Sequence, residues 1–297
     1  MGEAVPALPI LAVILSDLSF ALIVGTLLAG RWLGHEARDA DCHRLRRISL
    51  ACIAILVVCD LARPWIVAAN MSGLTGFGEV LSLIPTVLSG TRQGGLWYAN
   101  TVALVMLLTG QIWMKPRATS AATWLAIAGL GVLAATRAAS SHASEVGDFS
   151  LDEISQYLHL LATSVWAGAI MVSAFLVVPH WPAFGVPAFW NYSRRLSRVV
   201  TWALAILLLT GVCTAWREVH GSVSVLWTHT WGRILLTKVS LVVVALLLGS
   251  LTRFRCVNHP PESRRAVLMA RLLRWEGVVM ALILVVSGLL ANTDPGA

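Results

Sequence analysis

The stretch Leu151–Met171, LDEISQYLHLLATSVWAGAIM, decides how the rest of the chain is read. Two acids in its first turn are followed by an apolar run with a histidine about two turns in. A helix needs about 20 mostly apolar residues to cross a bilayer, and this run, continued to about residue 178, meets that length. Seven further stretches do the same, at about 8–30, 48–69, 95–114, 119–140, 196–216, 231–251 and 270–291. The composition agrees, with 57% hydrophobic and only 12% charged residues, against roughly 25% charged in a soluble domain. The expected fold is all-α: a polytopic membrane bundle of eight transmembrane helices, in one integral membrane domain with the lipid bilayer as its solvent. Residues 76–92, GFGEVLSLIPTVLSGTR, are too short and too interrupted to span, and predict a re-entrant or surface helix between spans 2 and 3.

Basic residues fix the orientation, because Lys and Arg collect on the cytoplasmic side. With the N-terminus outside, the inner loops receive Arg31 to Arg47, Lys115, Arg117, Arg194 to Arg198 and the run Arg253 to Arg274, most of the 22 basic residues. Both termini are then expected outside, on an acidic face carrying Glu79, Glu145, Asp148, Asp152 and Glu153. The net charge of +7 therefore reports topology, and no nucleic-acid motif accompanies it. Glu3, with no basic run before the first span, argues against a cleavable signal. The five cysteines show no CxxC spacing and predict no disulfide framework. Nine of the thirteen tryptophans fall near span ends, as an interfacial belt requires.

The two halves, 1–145 and 146–297, echo each other. Arg46-Arg47-Ile48-Ser49 opens span 2 as Arg194-Arg195-Leu196-Ser197 opens span 6, and Gly95 and Gly232 begin spans 3 and 7. Four spans per half would make these parallel repeats; against this, apolar helices align with one another easily.

Ionisable groups in hydrocarbon mark either a site or a structural brace. Here they are Asp17, Asp60, Arg63, Arg137, Lys238 and Glu276. Asp60 and Arg63, at i and i+3, are placed to pair, and Lys238 is placed to meet Glu276 from the neighbouring span. In span 5, Gln156, His159, Thr163 and Trp166 recur at helical spacing and form one polar and aromatic stripe. His159 lies roughly 10 Å below the outer helix end. His142 closes span 4 across a short loop, so a helical hairpin brings both imidazoles to the outer side. Such a pair suits a transition metal, and thioether or thiolate ligands would favour Cu(I). Met171, Cys59, Cys213, His220 and His229 are additional candidate ligands without diagnostic spacing. Cys42, His43, His180, Cys256 and His259 are scattered over the inner side. The bland reading of each is a solvated or core residue.

Several motifs together resemble the copper resistance protein D family of bacterial inner-membrane proteins. They are Ser141-His142-Ala143, then LHLLATSVWAG over Leu158–Gly168, Leu209-Thr210-Gly211, WGRILLTK over Trp231–Lys238, and Arg274-Trp275-Glu276. The resemblance covers roughly residues 135–295; the first half matches only in span count and in the interrupted segment near Thr91. It implies eight spans, a copper ion as the bound species, and His142 and His159 as its ligands. It also implies a separate periplasmic copper carrier resembling copper resistance protein C, since this chain carries no such domain and no Met-rich outer segment. The expected function is copper acceptance on the periplasmic side and movement toward the cytoplasm, without catalysis. Gln156, Thr163 and Trp166 would shape the site, and Asp60, Lys238 and Glu276 would line an interior path. No GxxxxGK[ST] is present, so an ATP motor is not expected. The rivals are a membrane redox protein, for which buried histidine pairs are lacking, and a copper-delivery factor for a copper enzyme.

Overall fold

Apolar runs of this length have one backbone solution in lipid, in which every N–H and C=O is paired within its own helix. A computed structural model of the chain describes residues 7–33, 39–74, 76–114, 120–141, 150–183, 185–218, 227 and 229–293. Among them are nine α-helices and no strand: α1 (Ala7–Leu33), α2 (Asp39–Ser72), α3 (Phe77–Gly90), α4 (Arg92–Trp113), α5 (Ala121–Ala139), α6 (Leu151–Val172), α7 (Val186–Glu218), α8 (Thr230–Thr252) and α9 (Ser263–Leu290). Eight are long and apolar enough to cross a membrane, α3 being the exception. The outward surfaces carry Val58, Leu61, Trp124, Leu209, Leu247 and Trp275, all more than half exposed. So large an apolar surface fits lipid rather than water.

Packing divides the chain into two compact units, one of Met1–Ser49 with Ala162–Ala297, the other of Leu50–Leu161. The larger unit is built around the second half of α6. From Ala162 onward nearly every α6 residue is buried, including Trp166, Gly168, Met171 and Val172. This half is rich in small residues, which let backbones approach in a membrane where no hydrophobic force draws helices together. At the closest approach Gly25 of α1 faces Gly168 of α6. A Cβ built on Gly168 would land on the Ala21 carbonyl, and one on Gly25 would land on the Gly168 carbonyl. The same helix continues through a π-helical turn, Ser173–Val177, where Ser173 and Tyr192 of α7 share a 2.7 Å hydrogen bond. Trp190 donates to the His259 carbonyl at 3.1 Å, tying the start of α7 to the loop before α9.

In the smaller unit α4 and α5 pack against each other through Gly110 and Gly129, where a Cβ would meet backbone of the opposite helix. Thr91 caps α4 by accepting from Gly94 N at 3.1 Å. The interrupted segment is one unbroken helix, α3, which buries Val80 and Val87 beside Ala68 and leaves Phe77 and Leu81 exposed.

Candidate functional site

The smaller unit holds a buried polar network that begins with a proline. Pro64 lies inside α2 and has no N–H to give to the carbonyl four residues earlier. That carbonyl belongs to Asp60, and in lipid it needs another donor. Trp97 of α4 supplies it, through Nε1 at 2.8 Å. The Asp60 side chain, 6% exposed, is held by the same helix: Asn100 Nδ2 donates to Oδ1 at 2.6 Å and Thr101 Oγ1 to Oδ2 at 3.1 Å. Thr136 of α5 donates to Asn100 Oδ1 at 2.8 Å, so three helices are joined. Replacing Trp97 with phenylalanine keeps the ring and strands the Asp60 carbonyl. The expected loss is about 1–3 kcal/mol, read as a lower melting temperature in detergent.

The network corrects one expectation. Asp60 does not pair with Arg63 along α2; its carboxylate turns to α4, where two short-armed donors stand beside it. Arg63 and Arg137 remain within electrostatic reach. The partners Trp97, Asn100, Thr101 and Thr136 went unnoticed in the sequence because uncharged residues in a span raise no alarm. Asn100, in the middle of an apolar run, was the available signal.

His159 lies eight residues beyond Leu151 on α6, about 12 Å along the axis, and is half-buried. Gln156, on the same half of the helix, is also half-buried. This half belongs to the smaller unit, where Tyr157 directs its hydroxyl toward Gly131 of α5. Further along α6, Thr163 Oγ1 and Trp166 Nε1 are both buried with no hydrogen-bond partner among the described residues. The stripe read from the sequence is therefore real as helical spacing, and its last two members carry unspent polar atoms. His142 and His220 lie outside the described residues.

The other candidates scatter. Met171 is in the core of the larger unit, Cys213 is exposed on α7, and Cys59 is half-buried on α2. His229 precedes α8 as its N-cap. On the expected inner side, His180 contacts the Arg44 guanidinium at 2.8 Å, and Cys256 is fully buried. Among the described residues, no three His, Cys, Asp or Glu side chains converge as a metal cluster.

Lys238 and Glu276 do not meet either. Glu276 lies beside Gly249, where a Cβ would stand 3.2 Å from its Oε1. Lys238 is eleven residues earlier on α8, roughly 16 Å along the axis at 1.5 Å per residue. Adjacency of two spans in the sequence fixes their antiparallel course and leaves their register open. Glu276 is 2% exposed and lines a cavity of about 420 Å³ in the larger unit.

Two family models match this chain. The one described as Copper resistance protein D-like, N-terminal domain, matches residues 3–148, and the one described as Copper resistance protein D matches residues 191–290. The chain belongs to the copper resistance protein D family. It is a multi-pass, copper-related membrane protein. The first half, which the motifs left almost unmarked, is matched along nearly its whole length. The helix with His159 falls between the two matched stretches. The chain is 27% identical over 238 residues to the copper transport protein CutJ of Bacillus subtilis (strain 168), a match covering 78% of this chain and 44% of the relative. The chain thus spans less than half the length of that relative. No solved structure matches.

Proposed function

We propose that this protein accepts copper at the outer face of the bacterial cytoplasmic membrane and passes it toward the cytoplasm. His142 and His159 are the proposed first ligands, both termini are periplasmic, and a separate carrier resembling copper resistance protein C delivers the metal. Family membership carries the reading, and the printed name of the Bacillus relative, a copper transport protein, supports it. The local chemistry is compatible. His159 is held part-way down α6 and is half-buried, and imidazole is a common ligand of transition metals. The unpartnered Thr163 Oγ1 on the same helix is available to water or to groups ordered by a bound ion. In this reading the protein is a conduit and not an enzyme. Movement of the metal follows a gradient or exchange with the carrier.

The test is metal analysis of the protein purified in detergent, loaded with copper and examined by X-ray absorption. The unaltered protein is expected to retain copper with nitrogen ligands. His159→Ala is expected to lower the bound copper at least tenfold while the protein elutes and melts as before. Unchanged stoichiometry in that variant would exclude His159 as a ligand.

A further inference from the structure

The cavity beside Glu276 is bounded by α6, α7, α8 and α9, all within the larger unit. Its expected inner end is marked by Ser193, Arg253 and Asn258, at the start of α7 and the end of α8. Ser197 and Thr201 of α7 and Ser250 of α8 also line it. Glu276 lies about six residues into the span read from the sequence at 270–291, about 9 Å from its inner end, in a bilayer core about 30 Å thick. No described residue hydrogen-bonds or ion-pairs with its carboxylate. Trp166 Nε1, on the α6 wall, is likewise buried and unpartnered. A carboxylate buried in a span, facing open volume with no basic group against it, is a cost that either a proton or a bound cation relieves.

We propose that this cavity is a binding site for a monovalent, oxygen-preferring cation, which takes the place of the proton on the Glu276 carboxyl. The donor set chooses the class of ion. Among the described residues lining the cavity there is no cysteine and no histidine, and Met269 is the one sulfur. Copper(I) favours thiolate, thioether and imidazole, whereas carboxylate, hydroxyl and water suit hard cations. The hydroxyls are already turned for that role. Ser193 and Thr252 spend their protons on carbonyls one turn back, at 2.8 and 3.0 Å. Their oxygens can then act only as acceptors.

Charge and size narrow the choice further. Arg253 is the one other charged residue in the lining; its guanidinium reaches Thr201 Oγ1 at 2.8 Å and stays exposed. One carboxylate inside and one guanidinium near the mouth favour a single positive charge over two. A water occupies about 30 Å³ in the liquid, so a cavity of about 420 Å³ holds an ion with its first hydration shell. The Trp166 N–H would then donate to that water. Its donors are hard, and among the described residues neither His159 nor the candidate sulfur ligands Met171, Cys59 and Cys213 line it; the proposal takes Trp166 and Glu276 out of the copper path expected from the sequence.

The experiment uses the full chain in detergent with three probes, ²²Na⁺, ⁸⁶Rb⁺ as a potassium surrogate, and silver(I) in place of copper(I). Saturable binding of one alkali ion per chain is expected. Glu276→Gln should weaken that binding at least tenfold and leave silver binding unchanged. Gly249→Ala, which keeps the charge but crowds Oε1, should weaken it to a smaller degree and guards against misfolding of the glutamine variant. Absence of alkali-ion binding in the unaltered protein, or binding insensitive to both variants, would overturn the proposal. So would loss of silver in Glu276→Gln, which would assign the cavity to the soft metal instead. His159→Ala failing to affect silver would count against the copper ligand and leave this site standing.

Discussion

Gly168→Ala is expected to destabilise the larger unit by about 3 kcal/mol, near the upper end for overpacking in a tight core. The sign is informative, because replacing a mid-helix glycine by alanine ordinarily stabilises by roughly 0.5–1 kcal/mol. Here the added methyl meets the Ala21 carbonyl of α1 and the Gly25 amide nitrogen, backbone atoms that no rotamer change can move. Helix α1 must withdraw from α6, and the contacts made by Ala21 and Val24 beside it are lost together. Gly25→Ala attacks the same contact from the other side and should cost a similar amount. The double variant should cost less than the sum, since one separation relieves both clashes. Gly30→Ala, five residues further on α1 with nothing within 4 Å of its Cβ, is the matched control and should be neutral or mildly stabilising. The measurement is thermal unfolding in detergent with size-exclusion profiles of each variant. Equal melting of Gly168→Ala and Gly30→Ala would refute the close approach. Gly168 ends the Leu158–Gly168 motif read from the sequence, so part of that motif is explained by packing rather than by metal.

What the sequence made legible follows from what lipid demands. A spanning run must be long, apolar and helical, and all eight predicted spans are present, with the short helix between spans 2 and 3 in its place. The largest boundary errors lie at helix starts. Spans predicted from about 48 and 196 begin at Asp39 and Val186, because hydropathy marks the lipid-embedded part while the helix runs on through arginine-rich turns. Charges were equally visible: Asp60 and Glu276 stood out and both are buried. Their surroundings were not. Asn100 is distant from Asp60 in the chain, and only packing of α2 on α4 brings them together. The Gly25–Gly168 contact joins residues still further apart. The cavity beside Glu276 exists because of how four helices lean on one another, and no local pattern encodes that.

The coupling between Asp60 and Asn100 is expected to exceed that between Asp60 and Arg63, although the second pair is one turn apart on a single helix. Asn100→Leu removes the donor at 2.6 Å from Asp60 and the acceptor of Thr136 at 2.8 Å. It leaves a buried carboxyl with Thr101 alone and a buried hydroxyl short of one acceptor. Hydrogen bonds to a charged group contribute about 1.5–3 kcal/mol, and a stranded buried partner costs a similar amount, so a loss of about 3 kcal/mol is expected. Asp60→Leu strands the Asn100 amide and should cost slightly less. With both replaced, neither side chain is left facing an empty partner, so the double variant should be more stable than the summed losses by about 1–3 kcal/mol. Arg63 acts on Asp60 through its field and not through a shared proton, so removing it strands no donor or acceptor. The cycle through Asp60 and Arg63 should therefore show the smaller coupling. Reversible unfolding in mixed micelles gives both cycles. Additivity between Asp60 and Asn100, or a stronger coupling of Asp60 to Arg63, would mean that the carboxylate's true partner lies along α2. A brace of neutral donors around one acid holds α2, α4 and α5 in register through hydrogen bonds that the arginine does not share, which is why the weaker dependence on the arginine is expected.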